Sequence, residues 1–398
     1  MNTKKYFILF AALPAMLIMV SIVNARGEAN RSLPDRVIAH TENETSEAVS
    51  LGCEVVRDAK TLKALRCPRG VAVSLSLAED VRVFALRENG FVNETRRPES
   101  GGTAAYTGPL NQIGADIVHN ASNTGSGRKV VVLDTGYNYF HPELVSSYLG
   151  GKDFVNNDND PMDDEGHGSH VSGIITADGI DPKAKGVAPD AGIIAGKVLD
   201  QNGSGYFSDI VAAIYWAVDG SDGVYGTGDD FGADGISMSL GTAAPYVYKG
   251  FCNNALPDLT NAIKYAVDKN ITVVAAAGNS GGSGVSIPGC ISYSTTVGAV
   301  SSTDKVASFS GKGNALDITA PGVSIYSSVL GNGYASWSGT SMATPMISGV
   351  VALIKYANPT AIQSVVENKL FSTAKDLGRS GKDTSYGWGR VRANLAVQ

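Results

Sequence analysis

The chain has 398 residues, of which 43% are hydrophobic, 18% are charged and 47 are glycine, with a formal net charge of -6 at pH 7. This length and apolar content suit globular domains with a sizeable core, and they exclude a disordered, collagen-like or coiled-coil protein. The 32 basic and 38 acidic residues give no electrostatic reason to expect nucleic acid as the main partner.

The N-terminal segment has the pattern of a secretory signal. Two lysines precede an apolar run over residues 6–23, and residues 23–25 offer the small side chains that a signal peptidase reads. An uncleaved membrane anchor is the alternative, because the run is near the length that a bilayer requires. Pro14 and the cleavage-like end favour removal after Ala25. We therefore expect a secreted product with no stable membrane association.

Export would bring the four cysteines into an oxidising compartment, where disulfides form. Cys53 and Cys67 lie in the early part of the chain, and Cys252 and Cys290 lie in the late part. Three pairings are open. If the two parts are ever separated, only Cys53–Cys67 with Cys252–Cys290 leaves both intact, so we predict that pairing over free or crossed thiols.

The early part of the chain is predicted to form a small unit of its own. Residues 26–50 are polar and without periodicity, which is typical of a flexible segment. Between Gly52 and Val92, an alternating run at Val71–Leu75 and a helix-like stretch at Leu77–Arg87 predict a small α+β unit. Residues 96–103 are polar and turn-forming, and therefore indicate a linker.

After the linker, apolar runs alternate with amphipathic segments. Strands that are apolar on both faces and separated by helices indicate an α/β fold, a parallel sheet covered on each side. Ligands of such sheets bind at the carboxyl ends of the strands, so the residues that follow each run are candidates for a site. The predicted strands are Lys129–Leu133, Ile193–Leu199, Gly235–Leu240, Ile271–Ala277 and Thr295–Val300, and the predicted helices are Phe207–Val218 and Leu256–Lys269.

Four polar segments follow or begin these apolar elements, and each has an ordinary structural explanation when taken alone. Asp134 and Asn279 follow strands and could be turn residues, although an amide could also aim its NH2 group at a developing oxyanion. His167 begins an apolar helix with His170, where the pair could bind a metal, but the His-Glu-x-x-His pattern of zinc proteases is absent. Ser341 begins another apolar helix, where backbone N–H groups can stabilise a negative oxygen.

Taken together, and in the order Asp, His, Asn, Ser, the four segments resemble the signatures of the subtilisin-like serine proteases. The resemblance covers the chain from about residue 106 to its end. The family's Gly-Thr-Ser-Met-Ala-Thr-Pro stretch is intact at residues 339–345, and its His-Gly-Thr-His stretch is present as His-Gly-Ser-His at residues 167–170. The resemblance implies a three-layer α/β fold preceded by a small α+β propeptide.

The resemblance also implies a secreted serine endopeptidase that hydrolyses peptide bonds through an acyl-enzyme. Ser341 would attack the peptide carbonyl, His167 would take its proton and deliver it to the leaving amine, and Asp134 would orient the imidazolium. Asn279, with the backbone N–H of Ser341, would bind the oxyanion. Two alternatives remain open: a catalytically silent binding protein on the same fold, and a zinc protease that uses His167 and His170.

Substrate binding follows from the same resemblance. Ser239, Leu240 and Gly241 resemble the family segment whose backbone pairs with an extended substrate as an added strand. Gly241, Gly278 and Ser286 would line the pocket for the residue before the cut. The neutral lining predicts apolar or small-to-medium side chains there.

The predicted organisation is a signal peptide at residues 1–25, a propeptide at 26–104 and a peptidase domain at 105–398. The early unit resembles the family propeptide in size and position only. We therefore expect protein or peptide substrates, the chain's own propeptide as an intramolecular inhibitor, and a monomer. The linker composition predicts self-cleavage between about Glu99 and Ala105.

The stretch at residues 153–164 concentrates oxygen ligands, and hard cations such as calcium bind six to eight oxygens. A solvated acidic loop is the alternative. A second family calcium site would use Glu143, but the rest of that site looks shortened at residues 179–186. For the first site, the resemblance assigns a structural calcium ion to Asp153, Asn156, Asp158 and Asp160.

Overall fold

The structure is a computed structural model that describes residues 36–68, 70–87 and 108–398. The chain divides into two compact units, Met1–Val56 with Ala64–Glu79 and Arg57–Lys63 with Asp80–Gln398. The predicted signal peptide and the predicted cleavage region at Glu99–Ala105 lie outside the described residues. No helix of the described ranges is long and apolar enough to span a membrane.

The first unit is built around a small sheet whose strand order, in the described residues, is β2-β3-β1-β4. Strands β1 and β4 pair antiparallel, and the buried side chains of Val37, Ala48 and Leu65 form its core. The elements in chain order are β1 (Val37–Ala39), α1 (Glu42–Ser50), β2 (Glu54–Asp58), β3 (Lys63–Arg66), α2 (Val71–Ser74) and β4 (Ala78–Glu79).

Three local predictions for the early part of the chain are wrong. Of the segment predicted to be flexible at residues 26–50, residues 26–35 lie outside the described residues, and the rest contains β1 and α1. Thr41 and Glu44 cap α1 reciprocally: each side chain accepts the other's backbone N–H, at 3.1 and 3.0 Å. The run at residues 71–75 is helical, and the stretch at residues 77–87 contains strands rather than a helix. In that stretch, pairing with strands that are distant in sequence outweighs the local helix propensity.

The second unit has the three-layer α/β architecture that the sequence predicts. Within the described residues, its sheet has seven parallel strands in the order β16-β15-β13-β10-β6-β8-β7, flanked by helices. The strands are β5 (Arg82–Ala85), β6 (Lys129–Asp134), β7 (Tyr148–Asp153), β8 (Gly192–Lys197), β9 (Ser204–Tyr206), β10 (Gly235–Met238), β11 (Leu240–Gly241), β12 (Val247–Tyr248), β13 (Thr272–Ala276), β14 (Val285–Ser286), β15 (Thr295–Val300), β16 (Ile318–Pro321), β17 (Ile325–Ser328) and β18 (Tyr334–Trp337).

The helices of this unit are buried against the sheet and against one another. All five predicted strands and both predicted helices are present, with ends that differ by no more than two residues. The helices are α3 (Gly108–Ile113), α4 (Ala115–Asn120), α5 (His167–Thr176), α6 (Phe207–Asp219), α7 (Pro257–Asp268), α8 (Thr340–Ala357), α9 (Gln363–Ser372) and α10 (Ala393–Ala396), with a short 3-10 turn at Gly281–Ser283.

The topology brings the polar segments to one edge of the sheet. Strands β6 and β13 flank β10 in parallel register, so their carboxyl ends lie on the same edge. Helices α5 and α8 pack against each other, and both begin with buried residues. The fold therefore gathers the ends of two strands and the starts of two helices.

Both predicted disulfides are present. Cys53 is bonded to Cys67 and Cys252 is bonded to Cys290, and no described cysteine is free. Each bond lies within one of the two units. The predicted pairing is confirmed.

Candidate active site

Asp134 and His167 form a buried hydrogen-bonded pair. Asp134 is the last residue of β6, and His167 is the first residue of α5. The Nδ1 atom of His167 lies 2.7 Å from Oδ1 of Asp134, and the two side chains are 0% and 1% exposed. The same carboxylate oxygen accepts the Thr135 backbone N–H at 2.7 Å. This arrangement fixes the imidazole with Nδ1 toward the carboxylate and Nε2 free to act.

The charges around His167 favour its protonated form. Burial opposes that form, but the Asp134 carboxylate outweighs burial and Glu165 adds to its effect, so the pKa of His167 is raised above its usual value. Arg87 acts in the opposite direction. Nε2 is buried and has no hydrogen-bond partner within the described residues. An unpaired Nε2 on an imidazole whose pKa is raised is suited to receiving a proton from a reacting group.

Ser341 and Asn279 lie together on the other side of the site. The Ser341 hydroxyl donates to the Ser239 carbonyl at 2.8 Å rather than to His167, and Ser341 is fully buried at the start of α8. The Oδ1 atom of Asn279 accepts both the N–H and the hydroxyl of Thr340, at 3.0 and 2.9 Å. These bonds orient the amide, and they leave its Nδ2 buried without a partner in the described chain.

Asp163 is a buried carboxylate of this site that the sequence does not single out. Its Oδ1 accepts the Thr135 hydroxyl at 2.9 Å and the Gly166 N–H at 2.8 Å. Its Oδ2 accepts the N–H and the hydroxyl of Ser169, at 2.8 and 2.6 Å. Asp163 thus joins the residue after Asp134 to the first turn of α5. The sequence signal is weak because Asp163 lies in an acidic stretch that predicts calcium or a solvated loop.

A strand of the chain itself lies along the predicted substrate segment. Strand β5 pairs antiparallel with β11, with Ala85 opposite Leu240 and Phe84 opposite Gly241. It pairs on its other side with β9, so β5 is the middle strand of a three-stranded sheet. Beyond β5, the Leu86 N–H donates to the Ser239 carbonyl at 3.4 Å. This is backbone pairing by strand addition.

The peptide bond after Leu86 lies beside the amide of Asn279. A side chain added at Gly339 would collide with the Leu86 carbonyl oxygen, and it would come within 3.2 Å of Arg87 Cα and 3.4 Å of Asn279 Nδ2. Gly339, two residues before Ser341, is therefore close to Leu86, Arg87 and Asn279. Any residue larger than glycine at position 339 would obstruct this approach.

The predicted pocket residues also meet beside Leu86. A methyl group at Gly241 would lie 2.8 Å from Cδ1 of Leu86 and 2.9 Å from Cβ of Ser286. A methyl group at Gly278, where φ is +91°, would collide with the Ser286 hydroxyl. The Ser286 hydroxyl is buried and has no partner in the described part of the chain. The three predicted pocket residues are thus uncharged and close together, and the Leu86 side chain lies beside Gly241.

His170 is not arranged as a metal ligand. Its Nε2 lies 3.1 Å from the carbonyls of Ile325 and Ala335, and its ring stacks on Trp337 with centroids 4.5 Å apart. Burial, followed by the charge of His167, lowers the pKa of His170 to about 3. No group of three or more His, Cys, Asp or Glu side chains able to hold a metal is found among the described residues. The zinc-protease alternative therefore has no support in this geometry.

The four predicted calcium ligands are engaged in local hydrogen bonds. Asp153 accepts from Asn156, through backbone and side chain, and Asp158 accepts the Asp160 N–H at 2.9 Å. The guanidinium of Arg57 donates to Asn157 at 3.0 Å and to the Phe154 carbonyl in the same loop. The loop therefore does not present all four residues as free calcium ligands, because Asp153 and Asp158 already accept local N–H groups.

Glu143 is satisfied entirely by protein donors. Its two oxygens accept the backbone N–H groups of Gly179, Ile180 and Asp181 at 2.7, 3.0 and 2.6 Å, and the Tyr334 hydroxyl at 2.9 Å. The side chain is fully buried. The backbone N–H groups of the short loop at residues 179–181 thus stabilise the carboxylate charge that a bound cation would otherwise neutralise. Glu143 is thus a buried carboxylate cap of this loop.

Comparisons with known proteins agree with this geometry. A sequence model described as the Subtilase family matches residues 125–389. The "Thermophilic serine proteinase" of Bacillus sp. (strain AK1) is 34% identical over 390 residues, which cover 95% of this chain and 91% of the relative. "Subtilisin E" of Bacillus subtilis (strain 168) is 34% identical over 411 residues, covering 100% of both chains.

"M-protease" of Shouchella clausii (strain KSM-K16) is 38% identical over 289 residues, covering 73% of this chain and 69% of the relative. The family match spans more than half of the chain and includes all four polar segments. The chain belongs to the subtilase family and is a serine-type endopeptidase.

Proposed function

We propose that the chain is the self-processing precursor of a secreted endopeptidase, which cleaves protein or peptide substrates through an acyl-enzyme on Ser341. The observation that carries this proposal is the Asp134–His167 hydrogen bond of 2.7 Å, with Nε2 of His167 buried and without a partner in the described residues. A buried, oriented imidazole is the group that an unactivated hydroxyl requires as its base.

The proposed reaction assigns one task to each side chain. Rotation of the Ser341 hydroxyl away from the Ser239 carbonyl would direct it to His167, which takes the proton as the oxygen attacks. Asp134 stabilises the imidazolium that forms, and His167 gives that proton to the leaving amine as the peptide C–N bond breaks. Water, deprotonated by His167, then hydrolyses the acyl-enzyme and releases Ser341. Asn279 Nδ2 would donate to the oxyanion. The hydrogen bonds from Thr340 to Oδ1 orient the amide, and Nδ2 has no partner in the described residues.

For self-processing, we propose that the first bond cut is Leu86–Arg87. Antiparallel pairing of β5 with β11 and the approach of the Leu86 carbonyl to Asn279 support this assignment. The predicted cut between Glu99 and Ala105 stays a prediction and would be a later trimming step. The boundaries at residues 25 and 104, the inhibitory propeptide, the signal peptide and the monomeric state are likewise part of the proposal.

The pocket beside Leu86 supports a preference for medium aliphatic residues before the cut. Gly241, Gly278 and Ser286 are uncharged, and the Leu86 side chain lies beside Gly241.

A serine-directed fluorophosphonate tests the proposed function most directly. We expect the mature enzyme to be labelled at Ser341 and to lose all hydrolysis in proportion to labelling. Labelling should weaken as the pH falls, because the raised pKa of His167 means that the base is protonated at acid pH. Absence of labelling on folded, mature protein would favour the silent binding protein instead.

Calcium is expected to be dispensable for stability. The carboxylates of the predicted loop site accept local N–H groups, and the guanidinium of Arg57 donates to Asn157 in the same loop. We therefore expect the melting temperature of the full chain carrying Ser341→Ala to change by less than about 1 °C when EGTA replaces calcium. A clear fall in melting temperature, reversed by added calcium, would contradict this expectation and restore the calcium site.

A further inference from the structure

Arg87, the first residue beyond the bond proposed to be cut, makes two contacts that a backbone substrate site does not require. Its Nη2 lies 2.5 Å from Oε1 of Glu165, and its guanidinium carbon lies 4.7 Å from the centre of the Trp337 ring. The Arg87 side chain is 28% exposed and the Glu165 side chain is 9% exposed. A carboxylate and an aromatic face together are a typical environment for a cationic side chain.

Both receiving groups are held in place by the catalytic machinery. The second oxygen of Glu165 accepts the backbone N–H of His167 at 2.9 Å, at the start of α5. Trp337 stacks on His170, whose ring is in turn held by two carbonyl groups. The Trp337 ring also lies parallel to that of His167, with centroids 6.4 Å apart. The two walls are therefore preorganised and do not depend on Arg87 for their positions.

We propose that Glu165 and Trp337 form a subsite that selects substrates with arginine or lysine immediately after the cleaved bond. The inference rests on the proposed peptidase function and narrows its substrate class to peptides with an aliphatic residue before the bond and a basic residue after it. The basic side chain leaves with the amine product. Glu165 and Trp337 are thus specificity residues on the leaving-group side and take no part in proton transfer.

The test uses two internally quenched peptides with the sequence of residues 82–91, one with arginine at the position of Arg87 and one with citrulline. Citrulline keeps the shape of arginine but carries no charge. With the enzyme obtained from the full chain, we expect kcat/KM to be roughly tenfold higher for arginine, the combined effect of a partly exposed ion pair and a cation–π contact. Product masses establish that both peptides are cut after leucine.

Variants identify the residues responsible. Glu165→Gln should remove most of the preference, Glu165→Asp should retain part of it, and Trp337→Leu should reduce it. Asp164→Asn is the matched control, because it removes a neighbouring negative charge that is paired with Lys197 instead. Its arginine-to-citrulline ratio should equal that of the wild type.

The pH profile tests the negative charge of Glu165 separately from any structural role of its side chain. Glu165 is one of the charges that raise the pKa of His167, together with Asp134, whereas Arg87 lowers it. The acid limb of kcat/KM for the citrulline peptide should therefore shift to lower pH in Glu165→Gln. It should stay in place in Asp164→Asn.

Equal kcat/KM for the two peptides with the wild-type enzyme would overturn the subsite while leaving the peptidase intact. In that case, the contacts of Arg87 only tie down the precursor segment. If neither peptide is cut by a Ser341-dependent reaction, the proposed function and the subsite fail together. The comparison of the two peptides involves no mutation, so a variant that misfolds does not obscure the result.

Discussion

The full chain carrying Ser341→Ala should be isolated without any internal cleavage and should hydrolyse no peptide. Removal of the catalytic serine from the relative subtilisin lowers kcat by about 10⁶-fold, and we expect a loss of similar order here. The wild-type chain should instead first yield a species whose N-terminus is Arg87, ahead of any trimming between Glu99 and Ala105, because the Leu86–Arg87 bond lies beside Asn279 and because Leu86 and Ser341 both donate to the Ser239 carbonyl. N-terminal sequencing and intact mass distinguish the two outcomes.

Two controls make this result specific. Ser338→Ala is the same substitution three residues earlier, where the hydroxyl accepts the Ser324 N–H at 2.9 Å, and it should process normally. Adding active wild-type enzyme to the Ser341→Ala chain shows whether cutting can also occur between molecules. Normal maturation of Ser341→Ala on its own would mean that another protease makes the cut.

Glu143→Leu should lower the free energy of unfolding by about 3 kcal/mol. The substitution removes an acceptor shared by three backbone N–H groups and a hydroxyl. Each charge-assisted hydrogen bond contributes about 1.5–3 kcal/mol, but water replaces part of this contribution because the amides are half-exposed. The measurement is urea unfolding in the Ser341→Ala background, which prevents self-digestion from distorting the curve.

Tyr334→Phe is the matched control for Glu143. It removes one of the four donors and leaves the three amides in place, so it should cost only about 1 kcal/mol. If Glu143→Leu unfolded at the same urea concentration as its parent, the carboxylate cap would not be a stabilising element, and the loop at residues 179–181 would owe its conformation to other contacts.

The sheet could be predicted from the sequence because its strands are apolar on both faces. Runs such as Lys129–Leu133 leave no alternative to burial in a parallel sheet, and they form β6 and its neighbours as expected. Strand β5 could not be predicted in this way. Its partners β9 and β11 lie far along the chain, and only this pairing makes a mixed segment such as Arg82–Ala85 extended. The capping box of α1 was readable, since a Thr-x-x-Glu pattern precedes the helix.

The site was predictable where a motif carries the chemistry and unpredictable where the fold supplies it. The order of Asp134, His167 and Ser341 along the chain is informative because few other functions require these three residue types in that order. Glu165 and Trp337 acquire their proposed role only when the fold brings both of them into contact with the Arg87 side chain. The predicted calcium ligands illustrate the converse case, because a local cluster of oxygens does not reveal how many of them the loop uses for its own turns.

The buried carboxylate of Asp163 acts as a spacer of fixed covalent length. One oxygen holds the segment that follows Asp134, and the other holds the first turn of the helix that begins at His167. The separation of Asp134 and His167 is therefore supported by a side chain that is hydrogen-bonded to neither of them. A single added methylene, as in glutamate, would change that separation by roughly an ångström, which is enough to detune proton transfer without altering any group that participates in it.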